Sequence, residues 1–106
     1  MQLPKPIPLY FTADNSNNPN SLAACFAPDA IVLDEGRTIE GLASIKEWKS
    51  ETKKKYNHTV EPLKAEERNG KIVVKSKVSG NFPGSPVTLE FSFGLKGDKI
   101  ASLEIH

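Results

Sequence analysis

The sequence predicts an α+β fold in which three N-terminal helices pack on a strongly curved antiparallel sheet. Three observations predict it. Up to Tyr56 the apolar residues recur at steps of three and four, the period of a helix face, broken by a strand-like stretch and its short return. From Thr59 onward they recur at every second position, the period of a strand. Turn signals then cut the second half into strands: Asn69-Gly70, Pro83-Gly84-Ser85-Pro86 and Lys96-Gly97-Asp98-Lys99. Helices first and an antiparallel meander last is the pattern of helices gathered on one face of a sheet.

In chain order, the prolines at 4, 6 and 8 favour an extended lead-in and a first helix beginning near Pro6 or Pro8, with Tyr10, Phe11 and Ala13 on its apolar side. A polar break from Asp14 to Asn18 follows, and Asn18-Pro19 reads as the cap of a second helix carrying Leu22, Cys25 and Phe26 and ending at Pro28. Ala30 to Glu35 reads as a strand with Ala30, Val32 and Asp34 on one face and Ile31, Leu33 and Glu35 on the other. Gly36 turns the chain into a short return strand at 38–40, and Gly41 is the hinge into a third helix. There Leu42, Ile45, Trp48, Thr52 and Tyr56 form one stripe, with Lys46, Glu47, Lys49 and Lys53 facing outward. Pro62 shifts the parity of the next strand, as at a bulge or an edge.

Composition excludes several classes of function. A chain of 106 residues is one domain, 1–106, and its 38% hydrophobic and 25% charged residues are ordinary globular usage. A net charge of +1 lacks the concentrated basic surface that phosphate binding requires, so no nucleic-acid partner is expected. No apolar run approaches a membrane span, and the N-terminal residues lack the pattern of a secretory signal. The lone Cys25 has no partner for an intramolecular disulfide. A cytoplasmic protein is expected. His, Cys and carboxylates nowhere occur at ligand spacing, and no glycine-rich phosphate loop is present, so neither a metal nor a cofactor is expected. Lys53-Lys54-Lys55 reads as electrostatic complement to a helix C-terminus. His58, at the junction of helix and strand, reads as an idle surface residue.

Several segments together resemble the NTF2-like superfamily, in its SnoaL-like and ketosteroid-isomerase-like branches. They are Tyr10-Phe11-Thr12-Ala13-Asp14-Asn15, Leu22 to Ala30 with its Phe-Ala-Pro-Asp-Ala phrase, Asp34-Glu35-Gly36, Gly41 with Ile45 and Trp48, and the hairpin from Ser79 to Val87. The resemblance runs from about Pro8 to the C-terminus. It implies a cone whose open mouth leads to an apolar cavity, a small apolar ligand of steroid-like or polyketide-like character, and homodimer pairing through the outer face of the sheet. The isomerase branch places a general-base Asp at the end of the first strand, which matches Asp34, and an oxyanion-holding Tyr in the first helix, which matches Tyr10. Its third group, a protonated Asp on a later strand, falls by parity and spacing on Leu89, with Glu90 pointing to the opposite face. A leucine donates no hydrogen bond, so the full steroid-isomerase scheme is not expected, while acid–base chemistry of isomerase, cyclase or dehydratase type remains open.

Asp34 and Tyr10 are therefore the candidate catalytic residues, and Phe26, Val32, Trp48, Tyr56, Leu89 and Phe91 the candidate ligand-binding wall. Each has a plainer reading. Asp34 could simply open the turn at Gly36 or pair with Arg37, and the aromatic residues could be core. The alternative function is a non-catalytic homodimerisation or ligand-sensing module.

Overall fold

A computed structural model describes residues 3–16 and 19–106. The expected cap at Asn18 lies outside the described residues. The first helix, α1 (Pro6–Asp14), starts with proline in its first turn, where the missing N–H costs nothing. It buries Ile7, Tyr10, Phe11 and Ala13. Asn15 ends it and stitches it to the sheet: its side chain donates to the Val60 carbonyl (3.0 Å) and accepts from the Val60 N–H (2.8 Å).

The structure has two α-helices, not three. The segment expected as a second helix forms only a short 3₁₀ helix at Pro19–Ala24, closed by the Cys25 N–H bonding the Leu22 carbonyl three residues back. Squeezed between a polar break and the start of β1, it has no room for a second α-turn. Strand β1 (Phe26–Asp34) begins sooner than expected, and Pro28 lies inside it. Its register against its neighbour shifts between Phe26 and Ile31, and in that interruption a residue without an N–H is tolerated.

Glu35 and Gly36, both at positive φ, make the tight turn from β1 into β2 (Arg37–Glu40). Gly41 follows at φ 86°, a conformation that a side chain would strain, and its N–H bonds the Ala30 carbonyl at 2.8 Å. This bend launches α2 (Leu42–Tyr56), which ends on Asn57 in the left-handed conformation. Strands β3 (Thr59–Arg68), β4 (Lys71–Ser79), β5 (Val87–Lys96) and β6 (Lys99–Ile105) complete the chain as the expected meander.

The six strands form one sheet in the order β2-β1-β6-β5-β4-β3. It is mixed, not wholly antiparallel, because β1 runs parallel to β6. The N-terminal hairpin completes the sheet by docking on the free edge of the meander. The strong curl expected of the sheet is absent, and its ladder is interrupted at register shifts in β1, at Pro62/Lys64 and at Gly94/Leu95. The helices cover one face, burying Phe26, Val32, Ile45, Phe93 and Leu103 against it. No helix among the described residues is long and apolar enough to cross a membrane.

Candidate functional site

A cavity of about 250 Å³ opens between α2 and the inner face of the sheet. Much of its wall is apolar, formed by Val78, Phe82, Val87, Leu89, Phe91 and Ile105, and Glu35 and Thr52 line it as well. Trp48 and Tyr56, two turns apart on α2, also line it, as the helical spacing predicts. Tyr56 packs edge-on against Phe82 with ring centroids 5.8 Å apart. Gly80 permits that closure. A Cβ there would come within 2.8 Å of the Tyr56 carbonyl oxygen and 3.1 Å of the His58 backbone, so the loop reaches α2 only without a side chain.

Asp34 stands at the cavity's edge, half-buried at the end of β1, and accepts a hydrogen bond of 3.0 Å from the Trp48 indole N–H. Ile31 and Leu33 on the opposite face of the strand are exposed, at 39% and 40%, as alternation requires. Leu89 faces the cavity, whereas Glu90 points outward and pairs with Arg68 at 3.1 Å. That pairing holds the Glu90 carboxyl below its ordinary range. The later-strand position is therefore apolar, as the parity argument predicts.

Three of the expected site residues, the lining residues Phe26 and Val32 and the catalytic candidate Tyr10, sit elsewhere. Phe26 and Val32 are buried in the core behind the cavity and do not line it. Tyr10 is fully buried among Phe11, Phe26 and Phe93 and does not line it either. Burial, with the charges of Asp14 and Asp34, pushes its phenol well above the usual range, so it remains protonated. Its hydroxyl lies 3.3 Å from the Lys49 Nζ, which donates to it.

The floor of the cavity holds a group that sequence reasoning missed. Asp14, at 1% exposure, accepts from Lys49 Nζ at 2.6 Å and from His58 Nε2 at 2.8 Å. Lys49 and His58 are themselves only 6% and 5% exposed, and all three line the cavity. Burial pushes the Asp14 carboxyl up, but Lys49 and His58 outweigh that and bring it down to about 2. Asp14 is thus ionised at neutral pH and can only accept, which assigns the hydrogen to Nε2 of His58. Nδ1 of the same ring is buried without a partner among the described residues. Lys53 finishes the arrangement by donating to the backbone carbonyls of Asp14, at 2.7 Å, and of His58.

Lys49 is the clearest departure from expectation, since the helix pattern assigns it to the solvent face. It stands four residues from Ile45, on the inward side of α2, and that spacing was the available signal. His58 is no idle surface residue, and Lys53 ties two loops together as well as complementing the helix end. Cys25, fully buried, bonds the Leu22 carbonyl, and burial pushes its thiol up to about 11, so it behaves as a small apolar residue. Among the described residues no three His, Cys, Asp or Glu side chains are grouped to hold a metal ion.

The sequence matches no family model and no curated protein. Solved structures do match. The chain is 45% identical to a proposed polyketide cyclase from Sinorhizobium meliloti, with a TM-score of 0.93 over 98% of this chain and 95% of that one. A Catenulispora acidiphila protein of ketosteroid-isomerase-like fold, solved with trimethylamine, is 24% identical, with a TM-score of 0.85 over 99% of this chain and 86% of that one. A proposed SnoaL-like polyketide cyclase from Jannaschia is 12% identical, with a TM-score of 0.77 over 96% and 82%. The last two show likeness of fold alone. Taken with the helices, the mixed sheet and the cavity between them, the 45% identity over nearly the whole of both chains establishes that the chain belongs to the same family as that proposed polyketide cyclase, a family of NTF2-like fold.

Proposed function

We propose that the cavity binds a small, largely apolar molecule bearing a carbonyl group, of polyketide-like or steroid-like chemistry, and moves a proton on it without a cofactor. The reaction is of isomerase, cyclase or dehydratase type. One observation carries this reading: a carboxylate, Asp34, stands beside the apolar wall of a hollow of about 250 Å³. Ligand pockets begin at about 300 Å³, so a compact one- or two-ring molecule suits the space better than a four-ring steroid. The 45% identity to a protein proposed as a polyketide cyclase supports the same chemistry. Asp34 is the base, and Trp48, Tyr56, Leu89 and Phe91 hold the ligand. Tyr10 supports the floor from behind and does not touch it.

The test is a thermal-shift screen of cyclic ketones, with 2-tetralone as the reference probe, followed by NMR measurement of α-proton exchange in D₂O. Binding with exchange faster than in buffer, and an Asp34→Asn variant that still binds but no longer accelerates exchange, is the expected result. No stabilisation by any ketone would overturn it.

The homodimer through the outer face of the sheet is a second reading, supported by the exposed Ile31 and Leu33 on that face. It allows a non-catalytic module. Sedimentation of the wild type against Leu33→Lys tests it: a dimer that the substitution dissociates supports the reading, and a monomeric wild type ends it.

A further inference from the structure

We propose that Lys49 is the group that receives the ligand's carbonyl oxygen and holds the negative charge formed there during the reaction. The inference rests on the proposed function and supplies what the sequence leaves out, a donor to replace the leucine at position 89.

Proton abstraction next to a carbonyl moves an electron pair onto oxygen, and without a donor aimed at that oxygen the barrier stays high. On the walls, Val78, Phe82, Leu89, Phe91 and Ile105 offer none, the Trp48 N–H is engaged by Asp34 and the Thr52 hydroxyl by the Trp48 carbonyl, which leaves the Tyr56 hydroxyl, a donor without charge. The floor offers a cation. An ammonium has three N–H donors. In Lys49 one meets Asp14 at 2.6 Å and a second meets Tyr10 at 3.3 Å, leaving one without a hydrogen-bond acceptor among the described residues. Lys49 lines the cavity. The same indole links it to the base: Lys49 Nζ lies 4.1 Å from the Trp48 ring centroid, and the Trp48 N–H binds Asp34 at 3.0 Å. Base and electrophile thus flank a single side chain.

Burying a lysine, an aspartate and a histidine together is costly, and a cluster of apolar side chains would serve stability as well or better. Here the charged cluster borders a hollow. Asp14 and Tyr10 fix the ammonium in place before any ligand arrives, so they act as positioning residues. In the reaction, the C–H bond next to the carbonyl breaks and its proton passes to Asp34. The electron pair shifts into a C=C bond and onto oxygen, where Lys49 binds the enolate. Return of the proton to another carbon gives an isomer, whereas attack by the enolate on a second carbonyl of the same molecule closes a ring and leaves an alkoxide there, which takes the proton from Asp34.

Two probes test this. In the wild type, 2-naphthol bound in the cavity should ionise at a pH lower by about one unit or more than free 2-naphthol, because a cation beside the oxygen favours the phenolate. Titration at the free value overturns the proposal without any variant. The second probe is α-proton exchange of 2-tetralone. Lys49→Met should slow it by about 100-fold or more, but that substitution also leaves Asp14 unpaired and could unfold the chain. The paired variant Lys49→Met/Asp14→Asn removes both charges and is expected to fold. If it melts near the wild type yet exchanges about 100-fold slower, Lys49 acts on the ligand. If it folds and exchanges at the wild-type rate, the proposal fails while the proposed function stands. A wild type that neither binds nor exchanges 2-tetralone ends both.

Discussion

Two aspartates line the same cavity in different surroundings. Asp34, at the rim, is half-buried, bonds one indole N–H and has solvent beside it. Asp14, on the floor, is shut away from solvent and accepts from a lysine and a histidine at once. The difference teaches that one side chain can serve as a reactive group or as an anchor according to what surrounds it. At the rim the carboxylate has one fixed partner, the Trp48 indole. On the floor, a carboxyl held at about 2 keeps its charge throughout and organises its neighbours.

The largest test of this contrast is stability. Asp14→Ala leaves Lys49 buried without its counter-charge and His58 without its acceptor, and should destabilise the fold by about 3–5 kcal/mol in urea denaturation. Asp34→Ala, which gives up one hydrogen bond at a half-exposed position, should cost about 1 kcal/mol. Equal losses would dissolve the distinction between anchor and reactive group.

Acid titration comes next. Because folding lowers the Asp14 pKa from 3.8 to about 2, the stability it contributes is fully present above about pH 5 and is lost as the pH falls through about 2. The contribution is about 2 kcal/mol. Melting temperatures measured between pH 5 and pH 2 should fall in the wild type and fall less in Lys49→Met/Asp14→Asn. Equal slopes in the two proteins would mean that other carboxylates dominate. The smallest effect is at the rim. Trp48→Phe keeps an aromatic ring but removes the indole N–H from Asp34, and should cost about 1 kcal/mol while leaving the floor intact. A loss near that of Asp14→Ala would show rim and floor to be one unit.

What could be read from the sequence follows the same division. The rim was legible because alternation along β1 fixes where Asp34 points, and because Gly36 and Gly41 mark the turns on either side. The parity of β5 correctly turned Leu89 inward and Glu90 outward. The floor was not legible, since its parts come from three elements: the last residue of α1, the inner side of α2 and the first turn into β3. Each alone has a bland reading. A lysine beside an apolar stripe looks solvated, an aspartate opening a polar break looks like a turn residue, and a junction histidine looks idle. Periodicity reports faces of single elements, and says nothing of charges that meet across them. The short 3₁₀ segment was misread for a related reason: Leu22, Cys25 and Phe26 satisfy a helical spacing that six residues cannot extend into an α-helix.

The parallel pairing of β1 with β6 bears on how the protein comes together in time. Val32 lies beside Leu103, about seventy residues along the chain, whereas β3 to β6 join neighbour to neighbour through short turns. Contacts between distant segments form slowly because the long intervening loop must first be closed. The hairpin bearing Asp34 is therefore expected to dock after the folding barrier is crossed: Val32→Ala should speed unfolding far more than it slows folding in stopped-flow kinetics, giving a φ-value near zero. On that schedule the hollow acquires its acid last, once the surfaces that would grip a ligand are already assembled.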